Sequence, residues 1–150
     1  MTGEYRNTID EKGRLMIPPK MREQLGSACN LMLTKSMDNS LWLFTQEEFE
    51  ALNAEVNYSP MSVFNRNSRI IDMMVISPAR EVELDKSGRL SIPQVLREFA
   101  KLDPKSECVI LGSKTKIEII SAKQYDEMMV QFKGMISDAG NELSLQRMGK

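Results

Sequence analysis

The sequence predicts an α+β fold: two tandem β-hairpin repeats interleaved into one pseudo-symmetric small barrel, with short helices between the strands. Three observations predict it. The segment Asp10-Glu11-Lys12-Gly13-Arg14-Leu15-Met16-Ile17-Pro18 returns 75 residues later as Asp85-Lys86-Ser87-Gly88-Arg89-Leu90-Ser91-Ile92-Pro93. Apolar and polar residues alternate on both sides of the Asp-x-x-Gly step in the second copy, the mark of half-buried strands. Each copy also ends in a helix-capping signature. A hairpin of this length has little core of its own, so its apolar face needs a partner. A second hairpin in the same chain supplies one.

The elements follow in order within each repeat. Glu81-Val82-Glu83-Leu84 reads as a strand, and the Asp-x-x-Gly after it as a turn. There the Asp carboxylate accepts backbone N–H groups two and three residues on, and Gly supplies a positive φ. A second strand covers Arg14 to Ile17, or Arg89 to Ile92, with Leu and Ile on one face and Arg on the other. Pro18 and Pro93 end these strands and suit the start of a short helix. That helix carries Met21 and Leu25 in the first repeat, and Val95, Leu96, Phe99 and Ala100 in the second.

A strand pair comes next. Leu31–Thr34 is matched with Leu41–Phe44, and Val109–Leu111 with Ile117–Ile120. The connection at 35–40 is rich in turn formers. Thr45-x-x-Glu48 and Ser121-x-x-Gln124 then cap helices whose apolar stripes are Phe49, Leu52 and Val56, and Tyr125, Met128, Met129 and Phe132. These stripes are read as packing faces. The chain thus divides into repeat 1 (4–47), a helix and connector (48–78), repeat 2 (79–122), and a C-terminal helix and tail (123–150). The tail from Ser137 to Lys150 has no periodicity and is expected to be loosely ordered.

Composition narrows the function. The chain has no histidine and only two cysteines, Cys29 and Cys108. Ser-His-Asp and Cys-His chemistry are therefore excluded, and a four-ligand zinc site is not available. Both cysteines open apolar runs and are expected in the core as thiols. No phosphate-binding glycine motif appears. The expectation is no enzyme, no metal and no cofactor. The longest apolar run, Met73-Met74-Val75-Ile76, is far below a membrane span, and no secretory signal opens the chain, so a cytoplasmic location without membrane contact is expected.

The formal net charge is −1, yet the charge is segregated. Residues 5–22 carry Arg6, Lys12, Arg14, Lys20 and Arg22 against Asp10 and Glu11, whereas residues 46–55 carry Glu47, Glu48, Glu50 and Glu55 and no base. Each turn offers a Lys, a Gly that permits close backbone approach, and an Arg. Lys and exposed N–H groups bind phosphates, and Arg can fork onto guanine O6 and N7. Asp10 and Asp85 hold the turns and can orient the following Arg. The expected DNA-binding residues are Asp10, Lys12, Gly13, Arg14, Asp85, Lys86, Gly88 and Arg89. A single such turn is a common structural hairpin, but its recurrence with an outward Arg at the same position favours function.

The order Asp10-Lys12-Gly13-Arg14 with Pro18, repeated as Asp85-Gly88-Arg89 with Pro93 and followed by Leu96-Arg97-Glu98-Phe99-Ala100, resembles the MraZ family. That family is a two-repeat branch of the AbrB-like swapped-hairpin superfamily, and the resemblance runs from about Gly3 to Met129. It implies hairpins interleaved within one chain and chains assembled into a ring-shaped homo-oligomer. It also implies a nucleoid-associated regulator, usually a repressor, of the division and cell-wall gene cluster and its own promoter, acting on short direct repeats of double-stranded DNA. The family's D-x-x-x-R elements fall on Asp10 with Arg14 and on Asp85 with Arg89. The family's arginines before the second repeat fall on the Asn65–Arg69 stretch, adding Arg66 and Arg69 as DNA contacts. Two departures stand out: Ile119-Ile120-Ser121 lacks the family's aromatic, and the second turn carries its Lys one position early. The alternative is an antitoxin-like interaction module that mainly binds a partner protein, disfavoured because a second repeat fills the space of a folding tail.

Overall fold

The computed structural model describes residues 2–26 and 30–148. It is a mixed α+β fold, and its strands are β1 (Gly3–Thr8), β2 (Arg14–Met16), β3 (Leu31–Lys35), β4 (Leu41–Thr45), β5 (Arg80–Val82), β6 (Arg89–Ser91), β7 (Glu107–Gly112) and β8 (Ile117–Ser121). Six of them form an antiparallel sheet in the order β1-β7-β8-β4-β3-β5, while β2 and β6 form a separate two-stranded ribbon. Helices α1 (Pro19–Leu25), α2 (Gln46–Val56), α3 (Arg66–Ile71), α4 (Gln94–Ala100), α5 (Ala122–Lys133) and α6 (Ile136–Met148) complete the chain. A 3-10 turn at Pro60–Phe64 and a π-helical turn at Asp72–Ile76 flank α3.

The two repeats exchange strands. β1 runs along β7 of the second repeat, from Gly3 opposite Gly112 to Thr8 opposite Glu107. β5 in turn runs along β3 of the first, Leu31 opposite Val82. Each hairpin therefore keeps only a few bonds between its own arms, such as Asp10 N–H to the Arg14 carbonyl at 3.0 Å and Asp85 N–H to the Arg89 carbonyl at 2.9 Å. Leu84 still bridges to Leu90 beyond the end of β5, so the strand expected at 81–84 is present but shifted toward its start. The ladder bonds an isolated hairpin would make internally are satisfied between repeats, and the apolar faces are buried together.

The resulting core is shared. Ile9, Leu15, Ile17, Met21 and Leu25 of the first repeat pack with Leu90, Ile92, Leu96 and Ala100 of the second, under Leu33, Leu43, Ile110 and Ile119 of the sheet. Cys108 joins this core; burial, with the Glu107 charge beside it, pushes its thiol up to about 12. Cys29 lies outside the described residues. On the other face of the sheet, Phe44 meets Phe49 edge-on at 5.8 Å, and the Thr34 hydroxyl donates to the Val75 carbonyl at 2.5 Å, tying the π-helical turn down. Both helix caps form: Thr45 Oγ1 accepts from the Glu48 amide and the Ser121 hydroxyl from the Gln124 amide, each at 3.2 Å.

Three expectations are corrected. Val95 is exposed on α4, because Leu96 and Ala100 fill the side that faces the core and Val95 lies off it. On α5 only Tyr125 is buried; it packs with Ala122 and Met128 against Val109 and Ile120 of the sheet, and Met129 and Phe132, off that face, are exposed. The tail is a helix, α6, with Ile136, Leu143 and Leu145 all exposed. Its apolar residues are too scattered to show an amphipathic period, so the sequence pattern did not reveal it.

Candidate nucleic-acid interface

The two Asp-x-x-Gly-Arg turns are copies in atomic detail. Asp10 Oδ1 accepts the amides of Lys12 and Arg14 at 2.9 and 2.8 Å, and its Oδ2 accepts Arg14 Nε at 2.7 Å. Asp85 does the same with the Ser87 and Arg89 amides, both at 2.9 Å, and with Arg89 Nε at 2.9 Å. The carboxylate thus reaches two and four residues on, not two and three. The third amide, that of Gly13 or Gly88, goes instead to the Asp backbone carbonyl. The glycines have φ of +78° and +87°, a region that side-chain-bearing residues resist.

Charge follows from this geometry. The amide of Arg14 first, then its guanidinium and the Lys12 amide, hold the Asp10 carboxyl below its ordinary range; the Arg89 amide and side chain and the Ser87 amide do so for Asp85. A depressed folded pKa contributes stability that is present above the unfolded value and lost as pH falls through the folded one. Acidification below about pH 4 is therefore expected to loosen both turns, read as faster turn-amide exchange. Asp10→Asn with Asp85→Asn should remove that acid dependence; an unchanged acid limb in the double variant would assign it elsewhere.

The ribbon joins the two turns, one at each of its ends. Leu15 opposes Leu90 and both face the core with no exposure, while Arg14, Met16, Arg89 and Ser91 occupy the opposite, outward face. The ribbon continues past its strands, with the Ile17 amide donating to the Gly88 carbonyl at 3.0 Å and the Ile92 amide to the Gly13 carbonyl at 3.1 Å. Each arginine gives its Nε to its aspartate, which leaves the donors of the two terminal nitrogens for other partners. Lys12 and Lys86 are exposed beside them.

Two further arginines that the sequence reading used only to align the repeats complete the cluster. Arg97 of α4 lies over Gly13, and Arg22 of α1 over Gly88. The signal was present as Arg22-Glu23 and Arg97-Glu98 at the same 75-residue offset. A Cβ on Gly88 would stand 2.2 Å from Arg22 Nη1, and one on Gly13 2.7 Å from Arg97 Nε. Because an arginine head can swing aside, the lasting cost of Gly88→Ala is backbone strain. A loss of about 1–3 kcal/mol in urea unfolding is expected; wild-type stability would mean the turn adopts another φ.

Arg66 and Arg69 are not part of this cluster. They are exposed on α3, whose neighbours include Trp42, Leu52 and Val56 on the face of the sheet away from the ribbon. Arg6 is engaged structurally, with Glu107 at 3.1 Å, Asp126 at 2.7 Å and the Tyr125 ring beneath it. Among the described residues, no group of three His, Cys, Asp or Glu could hold a metal ion, and no helix is long and apolar enough to cross a membrane.

Comparison with known proteins places these turns in context. A family model described as "MraZ protein, putative antitoxin-like" matches twice, over residues 1–73 and 75–148. A transcriptional regulator MraZ from Treponema denticola is 41% identical over 95% of this chain and 96% of its own length. Proteins of the same name from Ligilactobacillus salivarius and Alkaliphilus metalliredigens are 40% and 38% identical, each alignment covering 83% of this chain and 82% and 83% of theirs.

Proposed function

The chain belongs to the MraZ family, and from that premise we propose that it regulates transcription by binding double-stranded DNA through its paired turns. One observation carries the reading. Two independent turns hold an Asp–Arg pair in the same geometry and present both arginines on one outward ribbon face. In this reading Asp10 and Asp85 orient the forks, Arg14 and Arg89 reach base edges, and Lys12 and Lys86 meet phosphates. Gly13 and Gly88, expected from the sequence to let backbone approach the duplex, are buried under Arg97 and Arg22 and shape the turns instead. The repeats at 4–47 and 79–122 are the two reading units, and their exchange of β1 and β5 supports the swapped-hairpin arrangement of AbrB-like proteins.

Under the same proposal the target is a set of short direct repeats upstream of the division and cell-wall gene cluster and its own promoter, and the output is repression on the nucleoid. A ring of copies would engage successive repeats, so that effective concentration multiplies weak contacts. That assembly accounts for how a chain of net charge −1 binds DNA: the basic turns face the duplex and the acidic α2 faces away. Arg66 and Arg69, across the sheet, would contact DNA only as part of such an assembly.

A mobility-shift titration with the DNA upstream of this protein's own gene tests the reading. Saturable binding that unrelated competitor cannot abolish is expected. With ~4–6 phosphates neutralised, log K should fall against log salt with a slope of roughly −4 to −5. No specific shift, or a flat salt response, would overturn the DNA reading and favour the antitoxin-like alternative, a module that binds a partner protein.

A further inference from the structure

We infer that Arg22 and Arg97 are positioning residues acting across the repeats: Arg22 of the first repeat holds the Asp85–Arg89 turn, and Arg97 of the second holds the Asp10–Arg14 turn. The contacts are reciprocal. The Arg22 guanidinium rests on Gly88, where a Cβ would stand 2.5 Å from its Cζ, and its Nη1 donates to the Ser87 carbonyl at 3.4 Å. Arg97 Cζ lies 2.8 Å from the corresponding position on Gly13, while its Nε donates to the Ile92 carbonyl at 3.1 Å. The Ile92 amide in turn donates to the Gly13 carbonyl, so Arg97 and the turn it covers grip the same stretch of ribbon.

The residue types fit the task. Glycine is needed at the turn for its positive φ, and its missing side chain leaves the space that an arginine head fills. A planar guanidinium covers that space and holds its N–H groups in a fixed fork toward carbonyls, whereas a lysine ammonium is a compact point charge that would leave the space uncovered. The two clamps are not identical. Arg22 bonds the Ser87 carbonyl of the turn it covers, whereas Arg97 bonds the Ile92 carbonyl of the neighbouring ribbon strand. Arg22 Nε is buried with no hydrogen-bond partner among the described residues. Neither arginine belongs to the ribbon: Arg22 is on α1 and Arg97 on α4, and each touches the turn it covers.

The functional consequence rests on the DNA reading above, whereas the clamp itself does not, and hydrogen exchange separates them. In full-length protein, Arg22→Ala should speed exchange of the peptide spanning 84–90 roughly fivefold, the scale of one lost hydrogen bond, and leave 9–15 unchanged. Arg97→Ala should do the reverse. Arg22→Lys and Arg97→Lys, which keep stem and charge but lose the planar head, should give the same crossed pattern at smaller size and carry the test if an alanine variant unfolds. Each substitution loosening its own repeat's turn, or both turns equally, would overturn the inference. In DNA binding, the losses from Arg22→Ala and Arg89→Ala should be less than additive, and those from Arg22→Ala and Arg14→Ala additive; additivity in both pairs would also overturn it. A crossed exchange pattern in a protein that binds no specific DNA supports the clamp and removes the DNA reading.

Discussion

Alanine at both Arg14 and Arg89 is expected to abolish specific DNA binding while the protein stays folded. Each arginine is about a third exposed or less, and its Nε is already bonded to an aspartate, so the fork is held in place before DNA arrives. Pre-orientation reduces the rotamer entropy lost on binding. A base-reading arginine is worth about 1–3 kcal/mol, and two separate ones together about 2–6 kcal/mol if they add. In an assembly every copy loses the pair, and the deficits compound. The cost to folding is small, because ion pairs of this exposure contribute about 0–1 kcal/mol and Asp10 and Asp85 keep their backbone partners. Mobility shift and circular dichroism on the same preparation decide it. A folded double variant that binds like wild type would show that the turns are not the reading heads.

Leu90→Ala should be the most destabilising of the simple truncations, at about 2–5 kcal/mol. Leu90 is fully buried, pairs with Leu15 at the centre of the ribbon and bridges to Leu84. Its neighbours come from both repeats and belong to two sheets, so the cavity cannot close by moving one element. A domain of this size has about 5–15 kcal/mol in all, so Leu15→Ala/Leu90→Ala is expected to leave little folded protein. The two losses should not add, because the side chains share one site. The shared core also predicts a single unfolding transition. Trp42, the only tryptophan, reports on the first repeat and far-ultraviolet dichroism on both. Non-coincident urea curves from these probes would mean that the repeats fold separately, contrary to the strand exchange.

The two halves of the interface differ in how they are encoded. The Asp-x-x-Gly-Arg turn is written within five residues: the carboxylate, the two amides it accepts and the glycine φ are local, so the sequence determined the turn twice over. The same holds for the helix caps at Thr45 and Ser121 and for the strand pairs β3–β4 and β7–β8, whose partners are a few residues away. The choice of partner for β1 and β5 is not local. Alternation says that each strand has an apolar face, not which strand will cover it, and only the packed chain decided that each arm joins the other repeat.

The placement of Arg22 and Arg97 follows from that exchange. Both were visible as repeated residues, but the turn each one covers belongs to the other repeat, about 65 to 85 residues away along the chain. The same non-local decision put Arg66 and Arg69 across the sheet from the turns and left Val95, Met129 and Phe132 exposed on helices whose periodicity alone read as buried. The sequence by itself determined the two Asp-x-x-Gly-Arg turns, the caps and the alternating strands, because each is a contest between groups a few bonds apart. The tertiary structure alone decided which turn each arginine serves and which apolar faces are covered, because those depend on surfaces that meet only after the repeats have exchanged strands.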